Sequence, residues 1–96
     1  GGYETSHDVL VENNLVYGGN LGIYTHRRDL NQPAPYRVKI KNNLIENCNI
    51  GINLIAGKDI LVYGNEYENC NTDFFKNPNV TLWEMTSTNN SWLKYE

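Results

Sequence analysis

The feature that most constrains this chain is a segment of about ten residues that occurs three times along it. Each occurrence opens with alternating apolar and polar residues, passes through asparagine and continues into a second short apolar stretch. The occurrences are residues 9–17, 38–48 and 60–70, and a fourth segment, 80–83, keeps the opening alternation alone. Such repeats are typical of solenoids, in which one unit cannot bury its apolar face and stacked units form a continuous core.

Asparagine fixes the alignment of the repeats. The aligned positions are Asn14, Asn43 and Asn65, which gives steps of 29 and 22 residues. The longer step contains one insertion of about seven residues within 25–36. Asparagine tolerates left-handed backbone and bonds nearby backbone groups through its amide, so its recurrence predicts a bend at the same place in every repeat.

Each repeat is interpreted as three short strands separated by bends. The Val-x-Val alternation predicts a first strand with one buried face, as at Val9 and Val11. A second apolar pair follows, and then a third strand whose aligned apolar residues are Ile23, Ile52 and Phe74. No segment keeps a 3.6-residue period, so the sequence predicts almost no helix.

Size and charge narrow the class of protein. The chain has 96 residues and a net charge of −3. It is treated as one domain over 1–96, with repeats over about 7–83 and a tail or cap over about 84–96. No basic stretch is long enough to neutralise many phosphates, so no nucleic-acid partner is expected. No apolar run approaches the roughly 18 residues of a membrane-spanning helix, so no membrane partner is expected.

The two cysteines, Cys48 and Cys70, each end the tripeptide Glu-Asn-Cys and lie one repeat apart. They form no Cys-x-x-Cys pair, so a zinc site is not expected. Two interpretations stay open. The thiols are either two small buried side chains stacked on each other, or a disulfide between neighbouring repeats.

The pattern Asn-Asn-Leu-Ile-Glu-Asn-Cys-x-Ile-Gly-Ile-x-Leu, at residues 42–54, resembles the right-handed parallel β-helix of the pectate-lyase-like superfamily. The resemblance extends from residue 7 to about residue 83. It implies an all-β fold, a single-stranded solenoid of about four rungs. It also implies an asparagine ladder formed by Asn14, Asn43 and Asn65, in which each amide bonds one rung away. In the resembling proteins this bend lies between the second and third strands of a turn, so the strand that follows Gly22 would be the first strand of the next turn.

The same resemblance indicates where a site would lie. In the resembling enzymes, the outward face of the first strand of each turn and its adjoining loops usually form a polysaccharide groove. That strand follows the aligned positions Gly22, Gly51 and Asp73. Four rungs are few for such an enzyme, and uncapped strand edges invite association. We therefore expect either the remainder of a longer parent chain or self-association through the exposed first rung.

The insertion supplies the candidate catalytic residues, because long loops on a rigid scaffold often carry function. A lyase acting on uronates needs a base beside the proton and cations that neutralise the carboxylate. The hypothesis places Arg27 or Arg28 against the sugar carboxylate, with His26 or Tyr24 near the proton. The alternative is a solvated loop in which an arginine pairs with Asp29.

A substrate-binding column is expected on the same strand. Its members are Tyr24, Asn53 and Phe75, with Lys76 one residue beyond. Aromatic rings stack on sugar faces, and amides bond to sugar hydroxyls. The alternative is that these side chains cover the sheet or contact another part of a longer parent chain.

The sequence supports a hydrolase or a metal site less strongly than it supports a lyase. A hydrolase needs two carboxylates roughly 5–9 Å apart. Glu46 and Glu68 align one rung apart, but they lie beside the asparagine bend and away from the expected groove. No metal-binding run is present in the sequence, so no cofactor is predicted, and calcium is suggested by family resemblance alone.

The function predicted from these features is the terminal part of an extracellular carbohydrate-active β-helix protein, by resemblance a polysaccharide lyase or glycoside hydrolase. One alternative is a non-catalytic carbohydrate-binding or cell-surface module. Another is a structural segment of a trimeric tailspike-like fibre, with Trp83 and Trp92 at the trimer interface. The expected partner is a polysaccharide or other glycan. Secretion is inferred from the resemblance and from the polar bends.

Overall fold

The computed structural model describes residues 6–27, 29 and 31–83. This part of the chain contains nine strands and no helix. The strands are β1 (His7–Glu12), β2 (Leu15–Tyr17), β3 (Leu21–Thr25), β4 (Tyr36–Lys41), β5 (Leu44–Glu46), β6 (Ile50–Leu54), β7 (Lys58–Tyr63), β8 (Glu66–Glu68) and β9 (Thr72–Lys76). The all-β prediction is confirmed.

The nine strands form three parallel sheets of three strands each. Sheet A has the order β1-β4-β7, sheet B the order β2-β5-β8 and sheet C the order β3-β6-β9. The pairing repeats the sequence alignment, since Val9 pairs with Val38 and Val38 with Ile60. Each turn of the chain, called a coil below, therefore contributes one strand to every sheet. A bridge from Ile60 to Leu82 starts a fourth coil on sheet A, and the fold is the predicted right-handed parallel β-helix.

Left-handed residues turn the chain from one sheet to the next. Asparagine and glycine adopt positive φ at little cost, which explains their recurrence at the bends. The left-handed residues between sheets A and B are Asn13 (φ 58°), Asn42 (φ 57°) and Gly64 (φ 69°). Those between sheets B and C are Gly18 (φ 79°), Gly19 (φ 106°), Asn47 (φ 58°) and Asn69 (φ 56°). In each Asn-Asn pair, the first asparagine therefore turns the backbone and the second forms the ladder.

The predicted asparagine ladder joins all three coils at the bend between sheets A and B. The amide nitrogen of Asn14 donates to Oδ1 of Asn43 at 3.0 Å, and the amide nitrogen of Asn43 donates to Oδ1 of Asn65 at 2.9 Å. The backbone N–H groups of Asn14 and Asn43 donate to the same two oxygens. Each bend is therefore held by its neighbour through both main chain and side chain.

The core lies between the three sheets and is built from the inward residues of the strands. Every sheet contributes, and the aligned apolar positions of the repeats are the ones that become buried. The buried apolar cluster is Val38, Ile40, Ile45, Cys48, Ile52, Leu54, Ile60 and Val80. Its members come mainly from the second coil, because that coil is covered on both sides by the first and third.

Two glycines allow adjacent coils to approach closely at sheet C. A Cβ atom on Gly22 would lie 2.5 Å from the carbonyl oxygen of Gly51, and one on Gly51 would lie 2.7 Å from that of Asp73. Real Cβ atoms do not approach carbonyl oxygens so closely, so both positions need glycine. Asp73 occupies the aligned position on β9, which is the edge strand of sheet C among the described strands.

The two ends of the solenoid differ in what the structure describes. The predicted tail or cap over 84–96, with Trp92, lies outside the described residues. At the other end, the first coil exposes four large apolar side chains: Leu10, Leu15, Tyr17 and Tyr24. Self-association through this coil remains a prediction.

The described residues include no helix long and apolar enough to cross a membrane.

Candidate functional site

The outward face of sheet C carries the predicted aromatic column. Tyr24 pairs with Asn53, and Asn53 pairs with Phe75, so the three side chains follow one another across three coils. The two rings are half-exposed, at 50% for Tyr24 and 46% for Phe75. Strands lie about 4.8 Å apart, so the column spans roughly 10 Å. The predicted alignment is correct, whereas substrate binding by these residues stays a prediction.

Asn53 lies between the two rings and is 8% exposed. Its Oδ1 is buried and has no hydrogen-bond partner. Buried polar atoms in proteins are nearly always paired, so an unpaired amide oxygen is an unusual feature of this face.

His26 extends the aromatic surface at the end of β3. Its ring stacks on the Tyr24 ring, with centroids 5.6 Å apart and planes 11° apart. Arg27 follows and is half-buried, while Arg28 lies outside the described residues. The structure therefore brings together His26 and Tyr24, two of the residues proposed for proton transfer.

Asp29 takes part in a local turn of the insertion. Its carboxylate accepts a hydrogen bond from the backbone N–H of Asn31 at 2.8 Å, and its carbonyl oxygen accepts one from the N–H of Gln32 at 3.2 Å. Aspartate commonly organises turns in this way. These contacts give Asp29 a structural task in the loop that follows the aromatic column.

Lys76 lies on the opposite face of sheet C from the aromatic column. It pairs with Leu54, which is fully buried in the core. Its ammonium group donates to the carbonyl oxygens of Asn77 at 3.2 Å and Val80 at 2.9 Å. Consecutive strand residues point to opposite faces, so Lys76 points away from the column, and substrate binding by it stays a prediction. The lysine instead holds the turn that leads towards the fourth coil.

An open apolar cavity of about 280 Å³ adjoins the end of the column. It is the mouth of the solenoid interior at the first coil. Its lining consists of the side chains that face inward there and of the rim at the end of β3: Ser6, Val9, Val11, Ile23, Tyr24, Thr25, His26, Pro35, Val38 and Ile40. Tyr24 and His26 thus stand between this mouth and the outer face of sheet C.

The carboxylates considered for a hydrolase lie on another sheet. Glu46 and Glu68 pair with each other in sheet B, one coil apart as predicted. They continue a column that begins with the exposed Tyr17. The aromatic column is on sheet C, so these carboxylates and the column belong to different faces of the solenoid.

A second asparagine ladder lies at the bend between sheets B and C, and the sequence analysis missed it. The amide of Asn49 donates to Oδ1 of Asn20, and the amide of Asn71 donates to Oδ1 of Asn49, each at 3.0 Å. The signal was present in the sequence, because these asparagines repeat with the same steps of 29 and 22 residues. This ladder fixes the start of the sheet C strands.

A polar cluster at the start of sheet A was also missed. Asp8 Oδ2 lies 2.6 Å from both His7 Nδ1 and a terminal nitrogen of Arg37, and the His7 ring stacks on Tyr36 at 4.9 Å. The hydrogen bond from His7, assisted by Arg37, lowers the pKa of Asp8 below its usual value despite some desolvation. The aligned residues Asp8, Arg37 and Asp59 all have positive φ. The cluster ties the first coil to the second where the backbone is strained.

Side chains that could ligate a metal ion are scattered over the described part of the chain. It contains no group of three or more histidine, cysteine, aspartate or glutamate side chains placed to hold an ion. Calcium therefore remains a suggestion of the family resemblance, and none of the residues considered above is assigned to it.

Comparison with known proteins gives one family. A family model described as the right-handed beta helix region matches residues 3–93. No curated protein and no solved structure matches the chain. The matched span covers all nine strands and both asparagine ladders. The chain therefore belongs to the right-handed β-helix family.

Proposed function

We propose that this chain is the polysaccharide-binding part of an extracellular carbohydrate-active protein, and that the glycan lies along the outward face of sheet C. Right-handed β-helix proteins are commonly carbohydrate-active, which supports the class of ligand but not a particular sugar. The observation that carries the proposal is the column itself, in which two half-exposed rings flank the unpaired amide oxygen of Asn53.

The rings of Tyr24 and Phe75 supply the apolar part of the recognition. Sugar rings present C–H groups on their faces, and these pack against aromatic rings. The rings stand two strands apart on a parallel sheet, so a short stretch of polysaccharide running across the strands contacts both. His26 enlarges the Tyr24 surface by stacking on it.

Asn53 supplies the polar part. An unpaired buried amide oxygen costs roughly 1–3 kcal/mol, and a sugar hydroxyl that donates to it removes this cost. Ligand binding between the rings therefore gains more from this hydrogen bond than it would from one that water already satisfies. The amide can also donate to a second hydroxyl.

The placement of His26 and Arg27 favours a lyase over a hydrolase. Both residues follow β3 at the end of the column. There, an arginine neutralises a uronate carboxylate while the imidazole accepts the neighbouring proton. The paired Glu46 and Glu68 are on sheet B and do not reach a glycan on sheet C. Uronate-containing polysaccharides are therefore the proposed substrate class.

The test is a calorimetric titration with an oligogalacturonate and a neutral oligosaccharide of equal length. Replacing Tyr24 by alanine is expected to lower the affinity for the oligogalacturonate by about tenfold, because a stacking surface is lost. The matched control is Tyr17→Ala, which removes a tyrosine that is 70% exposed on sheet B of the same coil. It should leave the affinity unchanged.

Two outcomes contradict this proposal. One is that neither oligosaccharide binds the wild-type chain. The other is that Tyr17→Ala and Tyr24→Ala reduce the affinity equally, which would place the glycan elsewhere. Following the ultraviolet absorbance of an unsaturated uronate in the same samples separates binding from turnover, since a lyase forms this product and a binding module does not.

A further inference from the structure

The two cysteines occupy equivalent places in the second and third coils. Glu46 pairs with Glu68 just before them, and Ile50 pairs with Thr72 just after them. The backbone N–H of Asn71 also donates to the carbonyl oxygen of Cys48 at 3.2 Å. The strands are therefore in register through the bend, and Cys70 lies directly against Cys48 in the next coil.

The surroundings of the two thiols are alike but their exposure differs. Cys48 is buried and its Sγ lies 3.5 Å from the carbonyl oxygen of Glu46, whereas Cys70 is half-buried and its Sγ lies 3.8 Å from that of Glu68. Burial raises the pKa of the Cys48 thiol, and the adjacent Cys70 raises it further. Each thiol thus lies close enough to the other to influence its chemistry.

The spacing of the coils suits a covalent bond between these residues. Neighbouring strands of a sheet lie about 4.8 Å apart. The Cα atoms of disulfide-bonded cysteines are usually about 4.4–6.8 Å apart, so in-register cysteines on adjacent coils fall within this range without movement of the backbone. Both thiols are free in this structure.

We propose that Cys48 and Cys70 form a reversible disulfide between the second and third coils, made by exchange with a small disulfide such as oxidised glutathione. In the first step, the more accessible Cys70 thiolate attacks one glutathione sulfur, forms a mixed disulfide and releases one glutathione thiolate. In the second step, the Cys48 thiolate attacks the Cys70 sulfur and releases the other glutathione. The two cysteines are oxidised together, and the glutathione disulfide is reduced to two thiols.

The disulfide would act on the bend that leads into sheet C. Cys48 directly precedes Asn49, and Cys70 directly precedes Asn71, the pair that forms a rung of the second asparagine ladder. A bond between the cysteines closes one full coil and restricts the unfolded chain, so it should raise the melting temperature. It would also hold the starts of β6 and β9 together below the proposed glycan face.

The experiment incubates the full chain with oxidised glutathione, blocks free thiols by alkylation and measures the intact mass. The wild-type chain should lose the mass of two hydrogen atoms and take up no alkylating agent. Cys48→Ser should stop at the mixed disulfide, because the resolving thiol is absent. Cys70→Ser should stay unmodified while folded, because its remaining thiol is buried, and should react once urea is added.

A time course at several pH values tests the order of the steps. Since the pKa of Cys48 is raised, the mixed disulfide on Cys70 should disappear faster as the pH increases. The proposal is overturned if the folded wild-type chain keeps two alkylatable thiols, or if a stable mixed disulfide accumulates on it at every pH. These readouts come from the wild-type chain, so they hold even if a variant fails to fold.

Discussion

Replacing Asn43 by alanine is expected to lower the free energy of unfolding by about 2–4 kcal/mol. The side chain is buried and makes four hydrogen bonds at the centre of the first ladder. Its Oδ1 accepts from the backbone N–H and the amide of Asn14, and its amide donates to the Val11 carbonyl oxygen and to Asn65 Oδ1. Alanine removes all four and leaves partly buried donors and acceptors unpaired, which is more costly than losing an exposed hydrogen bond.

Urea denaturation measures this effect, and Asn14→Ala is the matched control. Asn14 is the exposed end of the same ladder, where water can replace the lost partners. Its loss should lower the free energy of unfolding by about 0.5–1.5 kcal/mol. Equal effects of the two substitutions would mean that the ladder does not stabilise the coils as described.

A second large effect is expected for Ile52→Ala, which should destabilise the fold by about 2–5 kcal/mol. Ile52 is fully buried in sheet C and belongs to the core between the sheets. Ile52 lies in the second coil, where it pairs with Ile23 of the first coil and Phe74 of the third. The structure around it can collapse only partly, so a cavity would add to the lost apolar burial.

The same substitution three residues later provides the control. Ile55 is exposed just after β6, so Ile55→Ala should change the free energy of unfolding by no more than about 0.5 kcal/mol. Thermal or urea unfolding of both variants gives the comparison. A large loss for Ile55→Ala, or a small one for Ile52→Ala, would contradict the assignment of Ile52 to the core and of Ile55 to the surface.

Most of the fold could be predicted from the sequence, because every coil of a solenoid repeats the same short residue pattern. The alternation at Val38 and Ile40 defines an inward face, and the asparagine at position 43 recurs in each coil. The steps of 29 and 22 residues fix the strand register before any coordinates are known. The second ladder has the same signal in the sequence, because Asn20, Asn49 and Asn71 recur with the same two steps.

The candidate site was less predictable because it depends on side-chain direction and on contacts between coils. Strand alternation sends Lys76 to the face opposite Phe75, where its ammonium group binds carbonyl oxygens of the next turn. The neighbours of Asn53 on this face, Tyr24 and Phe75, are contributed by two other coils. The contact of Asp8 with Arg37 likewise joins residues that are 29 positions apart. A pattern within one repeat could not have predicted it.

The measurement that tests the central claim most directly is nuclear magnetic resonance mapping of the bound oligogalacturonate on the isotopically labelled full chain. The account predicts that the backbone amide signals that shift on titration cluster in β3, β6 and β9, around Tyr24, Asn53 and Phe75. Signals from the sheet B strands should stay in place. Shifts concentrated in sheet B or sheet A, with sheet C unaffected, would contradict the proposed glycan face.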